Sequence, residues 1–135
     1  MKRVLADSNV LLDIMTLDPM WLSWSEDAFS QAVNSVGVVI NPIIYGEVSV
    51  RFSRIEDLDA VLPADIAQRE AIPYEAAFLA GKAFREYRRR GGHRTSPLPD
   101  FFIGAHAAVS GYRLLTRDPR RYRTYFPSLE LICPP

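Results

Sequence analysis

The stretch Val4-Leu5-Ala6-Asp7-Ser8-Asn9-Val10-Leu11-Leu12-Asp13 decides the fold. Residues 3–6 form a short apolar run that reads as a buried strand. It stops at an acid, and Asn9 to Met15 then reads as a helical turn with Val10, Leu11 and Ile14 inward. The same strand-then-helix pattern recurs downstream. Val38-Val39-Ile40 precedes a helix capped by Asn41 and opened by Pro42, running to about Phe52. Arg113 to Thr116 precedes a basic turn over Asp118 to Phe126, and Leu129 to Ile132 is a final strand. Short apolar strands separated by helices predict a parallel α/β sheet covered on both faces.

The intervening helices follow from their punctuation. Asp18 caps a helix with Pro19 at its first position, and Gly37 stops it. Ser53 and Glu56 have capping-box spacing for a helix with Ile55, Leu58 and Leu62 inward. The segment Arg69 to Ile72 is ambiguous. Pro73 begins a longer helix with Tyr74, Ala77, Phe78, Gly81 and Phe84 on one side, ended by Gly91-Gly92. His93 to Pro99 is a loop, and Asp100 opens a helix that Gly111 stops.

Four acids sit where folding alone does not ask for carboxylates. Asp7 ends the first strand. Glu47 interrupts the apolar helix Ile43-Ile44-Tyr45-Gly46-Glu47-Val48. Asp100 opens the helix Asp100-Phe101-Phe102-Ile103, and Asp118 follows Leu114-Leu115-Thr116. Each alone has an ordinary explanation, as a cap, an exposed helix position, a dipole partner or an Asp-Pro turn. Asp7 and Asp118 follow strands and Glu47 lies about two turns into the helix after the second strand, so these three can meet at the carboxyl edge where open sheets bind ligands, and the helix that Asp100 opens feeds the third strand. A partly buried carboxylate costs several kcal/mol unless neutralised, and a hard divalent cation neutralises several at once.

At 135 residues with 48% hydrophobic content, the chain reads as one domain, residues 1–135, with a real core. No apolar run approaches a membrane span, and the first acid comes too early for a secretory signal. One cysteine, Cys133, makes no internal disulfide, which fits a cytoplasmic protein. The formal net charge of zero conceals an asymmetry. Residues 1–81 carry 5 basic and 12 acidic side chains, and residues 82–123 carry 11 basic and 3 acidic. Fourteen of the 16 basic residues are arginine, which suits planar contact with phosphate. Two of the three acids in the basic segment belong to the unusual quartet, so a phosphate-bearing polymer is the indicated partner.

The four acidic stretches also resemble, in order, the motifs of PIN-domain nucleases. Val4 to Asp13 resembles the first and Ile44 to Val48 the second, glutamate-bearing one. Pro99-Asp100-Phe101-Phe102-Ile103-Gly104-Ala105-His106-Ala107 resembles the third, and Leu114 to Tyr122 the fourth. The similarity spans almost the whole chain, with lengths typical of VapC-like toxins of type II toxin–antitoxin pairs. It implies a PIN-like three-layer α/β/α fold with a mostly parallel sheet of roughly four or five short strands. It also implies a Mg²⁺- or Mn²⁺-dependent endoribonuclease that acts on RNA, forms a homodimer and is restrained by a cognate antitoxin. Asp7, Glu47, Asp100 and Asp118 take the catalytic, metal-binding positions. Asp7 and Asp100 are the most direct ligands, and Ser8, Asn9 and Thr116 support them by hydrogen bonds. Arg85, Arg88, Arg89, Arg90, Arg94, Arg117, Arg120 and Arg121 are the candidate RNA-backbone contacts.

Other residues take plainer roles. His93 and His106 share no ligand spacing with Cys133. Asp13 is expected at the surface or stabilising its helix, and Trp21 and Trp24 in the core or at an interface. Two other functions compete. A small-substrate phosphatase would not need so many arginines, and its usual Asp-x-Asp is absent, because Asn9 stands two residues after Asp7. A non-catalytic PIN-fold module that binds RNA or a partner would be signalled by lost acids, and none is missing.

Overall fold

The computed structural model describes residues 2–135. The chain runs β1 (Val4–Ala6), α1 (Ser8–Met15), α2 (Leu22–Ser35), β2 (Val38–Ile40), α3 (Pro42–Ser49) and α4 (Ile55–Val61). It continues with β3 (Ala67–Arg69), α5 (Tyr74–Arg89), α6 (Pro99–Ser110), β4 (Arg113–Leu115), α7 (Arg120–Tyr125) and β5 (Leu131–Ile132). The five strands form one parallel sheet in the order β3-β2-β1-β4-β5. Helices cover both faces, giving the three-layer α/β/α arrangement. Within the helical layers α1 packs on α2 and α3, and α5, α6 and α7 pack on one another.

The central strands are enclosed almost throughout, with Arg113 at the start of β4 partly exposed. Val4, Leu5 and Ala6 are fully enclosed, as are Val39, Ile40, Leu114 and Leu115. Register pairs Leu5 with Val39 on one side and with Leu114 on the other. The strand order reverses at β1, between β2 and β4, so the crevice outside the carboxyl end of β1 is the topological switch point. Asp7 stands there.

Several local expectations change. Asp18 accepts from the Met20 and Trp21 amides at 2.9 and 2.8 Å, but it closes a turn before the helix: α2 begins at Leu22 with Trp21 at its N-cap, so Pro19 is not its first residue. Asn41 caps α3 by accepting from Ile44 N at 3.0 Å, but α3 ends at Ser49, short of Phe52. The Ser53–Glu56 capping box does not form. Arg54 takes the N-cap with no side-chain bond, and Ile55 points outward while Leu58 and Leu62 are buried. The ambiguous stretch from Arg69 to Ile72 gives only Arg69 to a strand, β3 at Ala67–Arg69, an edge strand that the sequence reading does not place and whose Gln68 is exposed. On α5 the inward stripe is Ala76, Ala80 and Ala83, whereas Tyr74 is 92% and Phe78 68% exposed. Gly104 permits close packing of α6 against α7 and its C-cap residue. A Cβ there would meet the Phe126 ring at 2.6 Å and Tyr122 at 3.1 Å. Among the described residues no helix is long and apolar enough to cross a membrane.

Candidate active site

Asp7 is built into the junction of β1 and α1. Its amide donates to Leu115 O at 2.9 Å, which extends the β1–β4 pairing to the sheet's edge. Its carboxylate caps α1 through Ser8 N at 2.8 Å. The other oxygen accepts from Thr116 Oγ1 at 2.8 Å and from the Tyr122 hydroxyl at 2.9 Å. The side chain is only 4% exposed. Burial pushes its pKa from the ordinary carboxylate range to about 6. The charges of Asp100 and Glu47 add to the rise, and the Thr116 and Tyr122 hydroxyls oppose it.

Glu47 projects from α3 and accepts from Ser8 Oγ at 2.8 Å. Its pKa is raised by desolvation first and then by Asp100. Asp100, in the first turn of α6, accepts from Arg121 Nη1 at 3.1 Å. The charges of Asp100 and Glu47 bear on Asp7, and the Tyr122 hydroxyl is pushed well above the usual phenol value by burial and by the charges of Asp7, Asp100 and Glu47. Asp118 is arranged differently. Arg120 reaches both of its oxygens at 3.0 and 2.9 Å and holds it below the usual range. Asp100 and Asp118 line one cleft of about 410 Å³ with Tyr87, Arg120, Arg121, Thr124 and Tyr125.

The supporting residues stand where their types suggest. Ser8 fixes Glu47, and Thr116 fixes Asp7. Asn9 donates to Thr116 Oγ1 at 3.3 Å and accepts from Arg117 N at 3.1 Å. Tyr122 is the contributor that the sequence pattern does not disclose. It closes the stretch Leu114 to Tyr122, yet nothing in that stretch gives its hydroxyl a role. Asp13 is buried and not at the surface. It accepts from Arg117 Nε and Nη2 at 2.8 and 3.1 Å and from Ser25 Oγ at 2.7 Å. Arg117 therefore braces the β4–α7 loop onto α1, with its guanidinium over the Trp21 ring, and does not face solvent as the other arginines do. Arg85, Arg88, Arg89, Arg90 and Arg94 lie along the end of α5 and the loop after it, most of them exposed.

All four acids offer hard oxygen donors, which suits Mg²⁺ or Mn²⁺. Asp7 in particular is enclosed beside two other acids, and its hydrogen-bond partners are neutral. As placed, among the described residues, no three acidic, histidine or cysteine side chains already stand around a single point. Asp100 and Asp118 face arginines instead, so a shared cation would require those two side chains to turn.

The chain matches the family model described as PIN domain over residues 4–127. Among curated proteins none matches its sequence. Solved structures do match in fold. A chain of VapBC2 from Rickettsia felis, bound to a promoter DNA fragment, aligns at 14% identity and TM-score 0.74, covering 98% of both chains. DNA-bound VapBC from Salmonella typhimurium aligns at 20% identity and TM-score 0.71, again over 98% of both. FitAcB from Neisseria gonorrhoeae aligns at 14% identity and TM-score 0.68 over 96% of both. With a family model matched from the first strand to the end of α7, and the parallel sheet that such chains share, the chain belongs to the PIN-domain family.

Proposed function

We propose that this chain is a VapC-like toxin, a cytoplasmic Mg²⁺- or Mn²⁺-dependent endoribonuclease acting as one domain. The observation that carries this reading is Asp7, a carboxylate held almost out of water with the charges of Glu47 and Asp100 bearing on it. Burying like charges together is costly for folding and suits a site completed by a cation. A bound divalent metal supplies Lewis-acid polarisation of a phosphodiester and acidifies water.

The chain's own residues do the rest. Asp7 and Asp100 would hold the metal, with Glu47 and Asp118 completing the set. Thr116 and Tyr122 orient the Asp7 carboxylate, Ser8 orients Glu47, and Asn9 ties the Thr116 loop to α1. The cleft beside Asp100 and Asp118 offers arginines for phosphate and Tyr87 and Tyr125 for a base. Proposed partners are an antitoxin protein and a second copy of the chain. Exposed Tyr74 and Phe78 on α5, Val50 at the end of α3 and Ile55 at the start of α4 supply uncovered apolar surface.

The test is incubation of antitoxin-free protein with RNA and Mg²⁺, with the ends of the fragments mapped. Cleavage should leave 5′-phosphate and 3′-hydroxyl ends, stop with EDTA, and fall at least about a hundredfold in Asp7→Asn. Undiminished cleavage by cleanly purified Asp7→Asn would remove the site, and cyclic-phosphate ends would point to attack by the ribose hydroxyl. The second reading, a PIN fold that binds without cutting, draws on the arginines that already occupy Asp100 and Asp118. Tight RNA binding without Mg²⁺-dependent cleavage would select it.

A further inference from the structure

Two ion pairs occupy Asp100 and Asp118 in the cleft. Arg121 Nη1 lies 3.1 Å from Asp100 Oδ2, and Arg120 grips both oxygens of Asp118. The two arginines are consecutive at the start of α7. The Asp118-Pro119 turn delivers both to the same cleft. Neither pair is deeply buried. Arg120 is 86% exposed and Arg121 41%. Pairs in such surroundings are weak and exchangeable. Arg117, two residues before Pro119, differs because buried Asp13 anchors it.

We propose that Arg120 and Arg121 are resident counter-ions that yield Asp118 and Asp100 to an incoming divalent cation and then take RNA phosphate, a role that rests on the metal-dependent nuclease reading. The physical reason is charge balance. Without metal, clustered acids need cations, and guanidiniums serve. With metal bound, a guanidinium on the same carboxylate meets a second positive charge. Its planar donor fork then matches the phosphate of a bound strand equally well. Metal and RNA binding are thereby coupled, and the coupling is reciprocal.

Calorimetric titration of antitoxin-free protein with Mn²⁺ alone tests the first half. Arg121→Gln and Arg120→Gln should each bind Mn²⁺ roughly two- to fivefold more tightly than wild type, the span of an exposed ion pair. Lys82→Gln removes one positive charge from exposed α5, where Lys82 sits over Phe78, and should leave Mn²⁺ affinity near wild type. Anisotropy of a labelled oligoribonucleotide, with and without Ca²⁺ and checked intact on a gel, tests the second half. The cation should strengthen RNA binding by wild type, and strengthen it less for either arginine variant. Arginine variants that bind Mn²⁺ no more tightly than Lys82→Gln would overturn the exchange while leaving the metal site standing. Equal Mn²⁺ binding by wild type and Asp7→Asn would overturn the metal site and the exchange with it. Should Arg121→Gln fail to fold, Arg120→Gln, at a far more exposed position, decides the matter alone.

Discussion

Asp7 keeps its proton to about pH 6 in the folded chain, whereas an unfolded chain releases it near the ordinary aspartate value of about 3.9. Between those values the native state binds more protons than the unfolded one. Stability therefore falls as pH rises through this window, and the loss persists at neutral pH. Asn cannot ionise and escapes that loss. Metal-free Asp7→Asn should then be more stable than wild type by about 1–3 kcal/mol at pH 7.5, with the gain shrinking towards pH 4.5. Denaturant melts in EDTA at the two pH values measure this, and a pH-independent difference would contradict the assignment. An acid that ends an apolar run, as Asp7 does, or interrupts one, as Glu47 does, is an anomaly visible in a sequence, which is why both can be found there. Tyr122 cannot. Its partner Asp7 lies 115 residues away, and a tyrosine in a basic amphipathic turn looks like ordinary packing.

Elements meet through their smallest side chains, and this is where patterning misleads. Along α5 the stripe Tyr74, Ala77, Phe78, Gly81 and Phe84 has the larger apolar volume, so it reads as the inner face. The structure instead turns Ala76, Ala80 and Ala83 inward, where α5 packs on α6. Small side chains let two helices approach, and Leu79, Phe84 and Tyr87 flank the contact. Strand β3 is hard to see for a related reason, because an edge strand carrying Gln68 and Arg69 lacks the apolar run of its neighbours. The α6–α7 contact predicts opposite signs for one substitution. Gly104→Ala should cost about 1–3 kcal/mol, because the new methyl meets Phe126 and Tyr122. Gly81→Ala, with nothing within 4 Å of a Cβ, should gain about 0.5–1 kcal/mol from helix propensity. Thermal melts of the two variants should move in opposite directions, and a shared direction would refute the packing account. The tie between α1 and the β4–α7 loop is electrostatic. Asp13→Ala strands Arg117 and leaves Ser25 without its acceptor, so it should cost roughly 2–4 kcal/mol, read from the denaturation midpoint. A change under half of that would show the clamp to be dispensable.

Across the whole molecule, most of the positive charge of residues 82–123 sits on the end of α5, the loop after it and α7, and Arg120 and Arg121 of α7 line the cleft with Asp100 and Asp118. The asymmetry is plain in the sequence, but its distribution is not. Spacing cannot tell which arginines have internal partners. Arg117 is bound to Asp13, Arg90 to Glu86 and Arg113 to Glu130. Arg88, Arg89 and Arg94 remain exposed with Arg85 beside them, although Arg88 also donates to Arg94 O and Arg89 lies 4.0 Å from Glu86. Each phosphate contact to a single strand contributes about 0.7 to the slope of log affinity against log salt. Three or four such arginines should therefore give a slope of roughly −2 to −3, measured by anisotropy between about 50 and 200 mM salt. Replacing Arg88, Arg89 and Arg94 together by Gln should flatten that slope by about 2 and weaken binding most at low salt. Folding should survive, because all three side chains are exposed and none supports the Asp7 network. An unchanged slope would mean that RNA enters from another side of the sheet edge, and the basic segment would then be a solvated surface.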